Sequence, residues 1–318
     1  MNLISKIKNR IVRKTRRIYS IYHAYDFPPV NDGWEKYGKP VLGGGKEGIF
    51  FDPYVTLQDG KFEMYVSHRD NNSIKKYSSD DGVKWENGIT VLTGSHKNEW
   101  EKIVNRASVL KKDHIWYMWY TGQNENQSMV GLATSKDGIH FERYEGNPVF
   151  IPSETYELQS VMNPCVMWDE NEAIFKMWYS AGEKYEPDVL CYATSEDGIH
   201  WTKYKDNPIF QKSSNEYDKA KVGGCDVIKQ SDTYMMFYIG YQNIDNARIC
   251  VAESFDGIHW NRKPNNPIIA PSKNSWDAHA VYKPAVAYDE KQNQYLLWYN
   301  GRKGTKEYIG LAYNNKKK

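Results

Sequence analysis

The sequence contains little cysteine and no long hydrophobic run. Only 4 of its 318 residues are cysteines, and no two of them stand close enough for metal-ligand spacing. No stretch near the N-terminus has the continuous apolar core of a signal peptide or the length of a membrane-spanning helix. These absences favour buried free thiols in a reducing compartment, so we expect a cytoplasmic protein without a disulfide framework or a metal site.

The sequence also lacks a strong net charge and a phosphate-binding loop. Lys and Arg exceed Asp and Glu by only 2, which implies no broad electrostatic field for nucleic acid. The glycine run at 43–45 lacks the strand and helix that a nucleotide-binding loop requires. We therefore expect no nucleic-acid partner and no cofactor.

What the sequence does contain is a repeat of about 55–60 residues, the signature of a propeller or an array. Asp-Gly-Ile-His-Trp at 197–201 recurs with small changes at 81–85, 137–141 and 256–260, and a short Asp-Gly-Trp copy stands at 32–34. The Asp side chain can bond local backbone and the Gly tolerates positive φ, so the pair makes a tight turn. We interpret the motif as a structural turn.

Aromatic segments come before each turn and predict buried strands, as at 116–120 and 175–179. The last aromatic unit has no Asp-Gly strand after it, whereas the spare copy at 32–42 precedes the first unit. We therefore predict an all-β fold, a five-bladed β-propeller of four-stranded blades over residues 26–318. In this fold an N-terminal strand closes the ring and covers the open edges.

Residues 1–25 form a separate N-terminal region in this interpretation. Seven Lys and Arg residues occur there with no acid before Asp26, and the isoleucines fall at helical spacing. That pattern predicts a short basic amphipathic helix. It favours peripheral attachment to the anionic inner face of the membrane, and the alternatives are a solvated leader or an oligomer contact.

The strand before each aromatic strand varies at its first position, which a purely structural repeat would tend to keep. The five residues are Asp52, Arg106, Asn163, Gly224 and Lys283. Five innermost strands around one axis would bring these residues to one mouth, where the returning aromatic strands also end. We predict a carbohydrate site there, with Asp52 and the substrate-binding residues His68, Arg69, Arg106, Asn163, Lys283 and Arg302. Alternatively, these groups only pair and plug the channel.

The connectors into four of the repeats share an aromatic residue followed by an acid. The four acids are Glu101, Glu157, Asp218 and Asp277. Because the pair repeats, a bracing role is favoured, but Glu157 and Asp218 stay candidates for a catalytic acid.

Three features resemble the five-bladed propeller glycosidase superfamily: Asp52-Pro53-x-Val55, the aromatic Met-Trp-Tyr strands and the Ser-x-Asp-Gly-Ile-His-Trp units. That superfamily includes arabinanases and β-xylosidases, invertases and levansucrases, and mannoside phosphorylases. The resemblance covers about residues 30–315 and implies an enzyme that acts on glycosidic bonds, with Asp52 in the place of the base or nucleophile.

The sequence departs from the superfamily pattern at three of its carboxylates. Asn163 stands where a second Asp is common, and the phosphorylases' catalytic Asp is replaced by Asn105-Arg106. Gly223-Gly224 stand where an acid Glu is expected, with Asp226 close by. Ordinary hydrolysis usually needs two carboxylates that flank the bond.

Three functions therefore remain open. The first is a glycoside hydrolase-like enzyme with Asp52 as base or nucleophile and a proton donor among Asp226, Asp218 and Glu157. The second is a glycosyltransferase or phosphorylase in surface polysaccharide metabolism, because Arg and Lys at the mouth would bind phosphate on a phosphorylated or lipid-linked sugar. The third is a non-catalytic glycan-binding propeller.

Overall fold

The computed structural model describes residues 23–44, 48–183 and 187–315. Residues 1–22 of the N-terminal helix predicted over 1–25 lie outside the described residues. Within the described ranges the chain consists of strands, turns and two one-turn 3-10 helices, Glu99–Glu101 and Thr155–Glu157. The predicted all-β class is thereby confirmed. Nowhere in these ranges does a helix have the length and apolarity to cross a membrane.

The strands follow one another as antiparallel units in chain order. Two short strands come first, β1 (Glu35–Lys36) and β2 (Leu42–Gly43). Unit 1 contains β3 (Phe50–Gln58), β4 (Lys61–His68), β5 (Ser73–Ser79) and β6 (Ile89–Thr93). Unit 2 contains β7 (Ile103–Lys112), β8 (Ile115–Gln123), β9 (Ser128–Ser135) and β10 (Glu142–Arg143).

The three later units repeat this order. Unit 3 contains β11 (Ser160–Asp169), β12 (Ile174–Gly182), β13 (Pro187–Ser195) and β14 (Thr202–Lys203). Unit 4 contains β15 (Lys221–Gln230), β16 (Thr233–Tyr241), β17 (Ala247–Ser254) and β18 (Asn261–Arg262). Unit 5 contains β19 (Ala280–Asp289), β20 (Gln294–Lys303) and β21 (Lys306–Asn315).

Backbone hydrogen bonds join these units into four sheets. Units 1, 4 and 5 are separate sheets, whereas units 2 and 3 share one sheet through a single parallel pair, Ser128 and Ser160. In unit 5 the third strand pairs with the two N-terminal strands, with Glu35 opposite Tyr313 and Leu42 opposite Ile309. The N-terminal segment thus completes the sheet of the C-terminal unit.

The first strands of the units contact one another in cyclic order. Strand β3 contacts β7, β7 contacts β11, β11 contacts β15, β15 contacts β19, and β19 contacts β3. The core is divided in the same way, because each of five large apolar clusters lies between two neighbouring units, including units 5 and 1. Buried tryptophans such as Trp119, Trp178 and Trp298 supply much of the apolar surface removed from water.

The Asp-Gly motifs form tight turns, which confirms the structural interpretation. Asp197 Oδ1 accepts hydrogen bonds from the amides of Ile199 and His200 at 2.8 Å each, and Gly198 has a φ of +76°. Trp119 Nε1 of the preceding unit donates to Gly198 O at 2.8 Å. A turn therefore also fastens one unit to the next.

The connector acids act as braces, each buried between a tyrosine of the same unit and a cation of its outer strand. Glu157 accepts hydrogen bonds from Tyr179 Oη at 2.9 Å and Lys203 Nζ at 2.6 Å. The other braces are Glu101 with Tyr120 and Arg143, Asp218 with Tyr238 and Arg262, and Asp277 with Tyr299 and Lys36. In unit 5 the cation comes from β1.

All four cysteines are buried, and none forms a disulfide. The expectation of buried free thiols is confirmed.

Candidate active site

A β-bulge interrupts every first strand at the position that varies among the repeats. The pairing register shifts around Asp52, Arg106, Asn163, Gly224 and Lys283. The four non-glycine residues have φ of +52°, +54°, +52° and +45°, in the left-handed region that side chains rarely adopt. A bulge re-aims a side chain, and strained backbone of this kind clusters at functional sites.

Three of these bulges donate a backbone hydrogen bond to a side chain of the neighbouring unit. The amide of Asp52 donates to Asn300 Oδ1 at 3.0 Å, the amide of Arg106 to Ser67 Oγ at 3.0 Å, and the amide of Asn163 to Thr121 Oγ1 at 3.1 Å. Each acceptor stands on the second strand of its unit. The bulged backbone is therefore fixed from outside its own unit, which orients its side chain before any ligand arrives.

Four of the five bulged residues, all but Gly224, line a cavity of about 380 Å³ at this end of the first strands. Its lining includes Asp52 and all six predicted substrate-binding residues, His68, Arg69, Arg106, Asn163, Lys283 and Arg302. Tyr241, Tyr282 and Gln123 add further polar groups to the wall. A concave space of this size with convergent polar groups is typical of a small-ligand site.

Asp52 and Arg106 form an ion pair in this cavity. Arg106 Nε donates to Asp52 Oδ2 at 3.0 Å, and the Asp52 residue is buried. The guanidinium therefore holds one oxygen of the Asp52 carboxylate in the cavity wall.

Two further cations in the cavity, Lys283 and Arg302, form no ion pair among the described residues. Neither Lys283 nor Arg302 forms an ion pair with a carboxylate in the part of the chain that the structure describes. Lys283 Nζ lies 3.4 Å from Cys225 O, to which it donates, and Arg302 Nε is buried with no hydrogen-bond acceptor among the described residues. With Arg69 and Arg106 they place four cations in the cavity wall, and such a cluster can hold an anion.

Glu307 is a cavity residue that sequence reasoning missed. Both of its carboxylate oxygens lie 3.3 Å from Arg69 Nη2, which donates to them. Burial raises the pKa of Glu307, the Arg69 charge opposes this, and the negative charge of Asp52 raises it further. The signal was available, because third strands begin at the mouth where second strands end and Glu307 is the second residue of β21.

The other three predicted catalytic acids do not line the cavity. Glu157 and Asp218 are fully buried in their braces, where tyrosine and cation partners occupy them. Asp226 is also buried, and it accepts hydrogen bonds from the amide of Val286 at 2.6 Å and from Cys165 Sγ at 3.5 Å. Burial raises the pKa of Asp226, although the nearby Lys283 charge opposes the rise.

The described residues do not bring three or more His, Cys, Asp or Glu side chains together as metal ligands. Three carboxylates line the cavity, Asp52, Asp245 and Glu307, beside several cations.

The chain is similar to proteins that act on glycosides. It is 26% identical over 223 residues to 1,2-beta-oligomannan phosphorylase of Thermoanaerobacter sp. (strain X514), covering 66% of this chain and 68% of the relative. It is 28% identical over 220 residues to an uncharacterized protein of Mycobacterium tuberculosis (strain CDC 1551 / Oshkosh), covering 66% and 70%.

Solved structures share the fold over nearly the whole chain. A structure named "Glycoside hydrolase" superposes with a TM-score of 0.73 at 18% identity, covering 95% of this chain and 96% of that chain. The beta-1,2-mannobiose phosphorylase from Listeria innocua superposes with a TM-score of 0.66 at 14% identity, covering 92% and 93%. The propeller-like architecture is therefore that of glycoside hydrolases and phosphorylases.

The model of the family "Glycosyl hydrolases family 32 N-terminal domain" matches residues 76–207 and 191–316. Together these matches cover well over half of the chain. The protein therefore belongs to this glycosyl hydrolase family, and it is a carbohydrate-active, glycosidase-like enzyme.

Proposed function

We propose that the enzyme cleaves a glycosidic bond in the 380 Å³ cavity, with Asp52 as the catalytic base or nucleophile. The observation that carries this proposal is the buried Asp52 carboxylate, presented on a strained bulge and held by Arg106 at 3.0 Å. A buried carboxylate that a guanidinium holds in place beside the bond can act as a base or a nucleophile.

Glu307 supplies the proton to the leaving group in this proposal. A glycosidase needs an acid with a raised pKa beside a charged carboxylate, because one protonates the departing oxygen while the other attacks or activates water. Burial in the cavity wall gives Glu307 such a raised pKa. Asp52 and Glu307 thus supply two carboxylates, although Asn163 and Gly224 stand where the glycosidase superfamily has further acids.

A second candidate reaction uses phosphate in place of water. It is favoured by Lys283 and Arg302, which line the cavity without an acidic partner among the described residues and can hold a phosphate beside the bond. The similarity to a phosphorylase supports this reaction. A phosphate-bearing sugar, as in a glycosyl transfer, would meet the same two cations.

The experiment compares products with and without inorganic phosphate. The purified protein is incubated with β-1,2-mannobiose and a panel of other disaccharides at phosphate concentrations from zero to 10 mM, about the range in which weak phosphate sites fill. Release of free sugar in the absence of inorganic phosphate supports hydrolysis. An amount of sugar 1-phosphate that increases with the phosphate concentration supports phosphorolysis. Glycan binding without turnover on any substrate would contradict the enzyme proposal and favour a binding propeller.

We further propose that residues 26–318 form one five-bladed propeller, closed by the N-terminal segment. The cyclic contacts of the first strands support this ring, as does the bond from Trp298 Nε1 of unit 5 to Gly82 O of unit 1 at 2.9 Å. The brace between Lys36 and Asp277 occupies in unit 5 the place that Lys203 and Glu157 occupy in unit 3. Each blade then presents one bulge to the common cavity.

Residues 1–25 attach the enzyme to the cytoplasmic face of the membrane in this proposal. Seven cations before the first acid would bind anionic lipid, each with about 1 kcal/mol near the surface. A lipid-linked glycan is then a natural substrate for the propeller domain.

A further inference from the structure

The chain that follows the basic N-terminal residues 1–22 lies against the rim of the cavity. Arg248 Nη2 donates to His23 O at 2.6 Å, and Gln242 Nε2 donates to Asp26 Oδ2 at 2.8 Å. Gln242 opens the loop between β16 and β17, and Ile244 in this loop lines the cavity. The basic residues are therefore joined to the fold at the cavity rim and not at the opposite end of the propeller.

Large apolar side chains are exposed on the same rim. Ile244 is 56% exposed and Leu158 is 61% exposed. Leu158 pairs with Gly182, the neighbour of the cavity residue Pro187, and it has a φ of +49°, which is unusual for leucine. Tyr25, two residues after His23, is also exposed. These three exposed side chains stand on separate segments of the chain.

The opposite end of the units provides a contrast. Strand β17 runs from Ala247 at the cavity to Ser254 at the far end, a rise of about 25 Å at roughly 3.3 Å per residue. Phe255 follows there and is 81% exposed. A partner that binds the cavity rim would leave this phenylalanine in water.

The charge pattern identifies the partner as an anionic lipid bilayer. The rim itself carries mixed charge, since Asp26 lies beside Arg248 and Asp245 lines the cavity, so attraction to an anionic surface must come from residues 1–22. Their seven cations and helically spaced isoleucines are typical of a segment that lies in the headgroup layer. Apolar rim residues would then enter the same layer.

We propose that Tyr25, Leu158 and Ile244 form a membrane-docking rim, which turns the mouth of the cavity toward an anionic bilayer. In this orientation the cavity receives a glycan from the membrane surface, so the substrate is the sugar portion of a membrane lipid. The orientation rests on the rim residues and on the membrane attachment of residues 1–25 proposed above, whereas the substrate class also rests on the proposed glycosidic cleavage.

The test places an environment-sensitive fluorophore at single rim and far-end positions. Because the native cysteines are buried, the variants Ile244→Cys, Leu158→Cys and Phe255→Cys are each labelled with NBD at the new thiol. Vesicles of 70% phosphatidylcholine and 30% phosphatidylglycerol are added, and the same mixture is repeated in 0.5 M NaCl, where the Debye length is about 4 Å. Deletion of residues 1–22 is the control for the source of attraction.

We expect NBD emission to rise severalfold at positions 244 and 158 and to stay unchanged at 255. High salt and the deletion should both abolish the rise, while circular dichroism verifies that the truncated protein is folded. An equal or larger response at 255, or no response at the rim when the protein floats with the vesicles, would overturn the proposed orientation. Failure to float would overturn it as well.

The two proposals fail separately. Loss of the fluorescence difference in a protein that still cleaves soluble glycosides removes only the docking rim. A clear fluorescence difference in a protein that cleaves no glycoside keeps the rim and removes the proposed function.

Discussion

Asp52 and Arg106 occupy equivalent bulges on the first strands of neighbouring units, and Arg106 Nε donates to Asp52 Oδ2 at 3.0 Å. Their φ angles, +52° and +54°, are nearly the same. The repeated backbone therefore supplies one presentation site per unit, and the side chain placed there sets the local chemistry. The ion pair forms because neighbouring repeats carry different residues, Asp52 and Arg106, at the same backbone position.

Asp52→Asn should abolish turnover without disturbing the fold. Asn tolerates a left-handed φ as Asp does, and its amide keeps the shape of the side chain, so the bulge survives. Loss of a base or nucleophile should lower kcat by about 10²–10⁴-fold or more. Asp59→Asn is the matched control, because Asp59 has the same φ of +52° in an exposed turn.

Initial rates on a cleaved glycoside and thermal unfolding midpoints measure these effects. The assignment of Asp52 is wrong if the variant keeps near-wild-type kcat at an unchanged unfolding midpoint. A loss in the Asp59 variant would instead point to a general effect on the first unit.

The fold was accessible from the sequence because its signals are local. Asp-Gly turns and aromatic strands recur at a fixed period, and each follows from side chains that act within a few residues. The variable position on the first strands could also be found, since a repeat makes deviations visible. The direction in which the side chains at this position point could not be predicted, because the bulge at Asp52 depends on Asn300 in the last unit.

The same limit explains the acids that sequence reasoning assigned differently. For Glu157 and Asp218 the repeated pair favoured a bracing role but left a catalytic role open, and the contacts with Lys203 and Arg262 from the outer strands identify them as braces. Glu307 became a candidate only when β21 was seen to begin at the cavity beside Arg69. The strand order could have placed Glu307 at the mouth, but its pairing with Arg69 is a long-range contact, as are those of Glu157 and Asp218.

Glu307→Gln should impair substrates according to their leaving groups. A disaccharide needs protonation of its departing oxygen, so kcat should fall about 10²–10⁴-fold. A 2,4-dinitrophenyl glycoside of the same sugar leaves as a stable phenolate and should lose less than about tenfold. The rate decline of the wild-type enzyme at high pH should also disappear, because the raised pKa of Glu307 belongs to the missing acid.

The pair of substrates separates catalysis from structure. Equal losses on the disaccharide and the aryl glycoside would indicate that Glu307 only positions Arg69. A purely structural role would also leave the pH profile of the remaining activity unchanged.

Lys36→Met should destabilise the fold far more than a comparable surface change. Lys36 Nζ lies 2.6 Å from Asp277 Oδ2, and the Asp277 side chain is only 1% exposed. Removing the cation leaves a buried carboxylate without its partner, which costs about 3–5 kcal/mol. Lys61→Met breaks a pair with Glu86 at 3.2 Å whose side chains are 45% and 62% exposed, so about 0–1 kcal/mol is expected.

Urea unfolding measures both free energies. A similar small loss in the two variants would argue against Lys36 as the element that fastens the N-terminal strand to the last unit. If the slope of the unfolding free energy against urea concentration is the same in both variants as in the wild type, the same two states are being compared.

Asp226→Asn should change how stability depends on pH, because burial raises the pKa of Asp226 above its ordinary value of 3.8. A raised acid contributes its full stability below the unfolded pKa and loses it as pH rises through the folded pKa. The neutral Asn retains an acceptor for the amide of Val286, 2.6 Å away in the wild type, and cannot ionise. Relative to this variant, the wild type should therefore lose stability above about pH 4, by at most about 1.4 kcal/mol per pH unit.

Urea midpoints between pH 4 and 8 measure this difference, with Asp232→Asn in the exposed turn after β15 as the control for charge removal. A difference between wild type and Asp226→Asn that does not change with pH would mean that the Lys283 charge compensates the burial of Asp226, and that this acid stays ionised beneath the cavity.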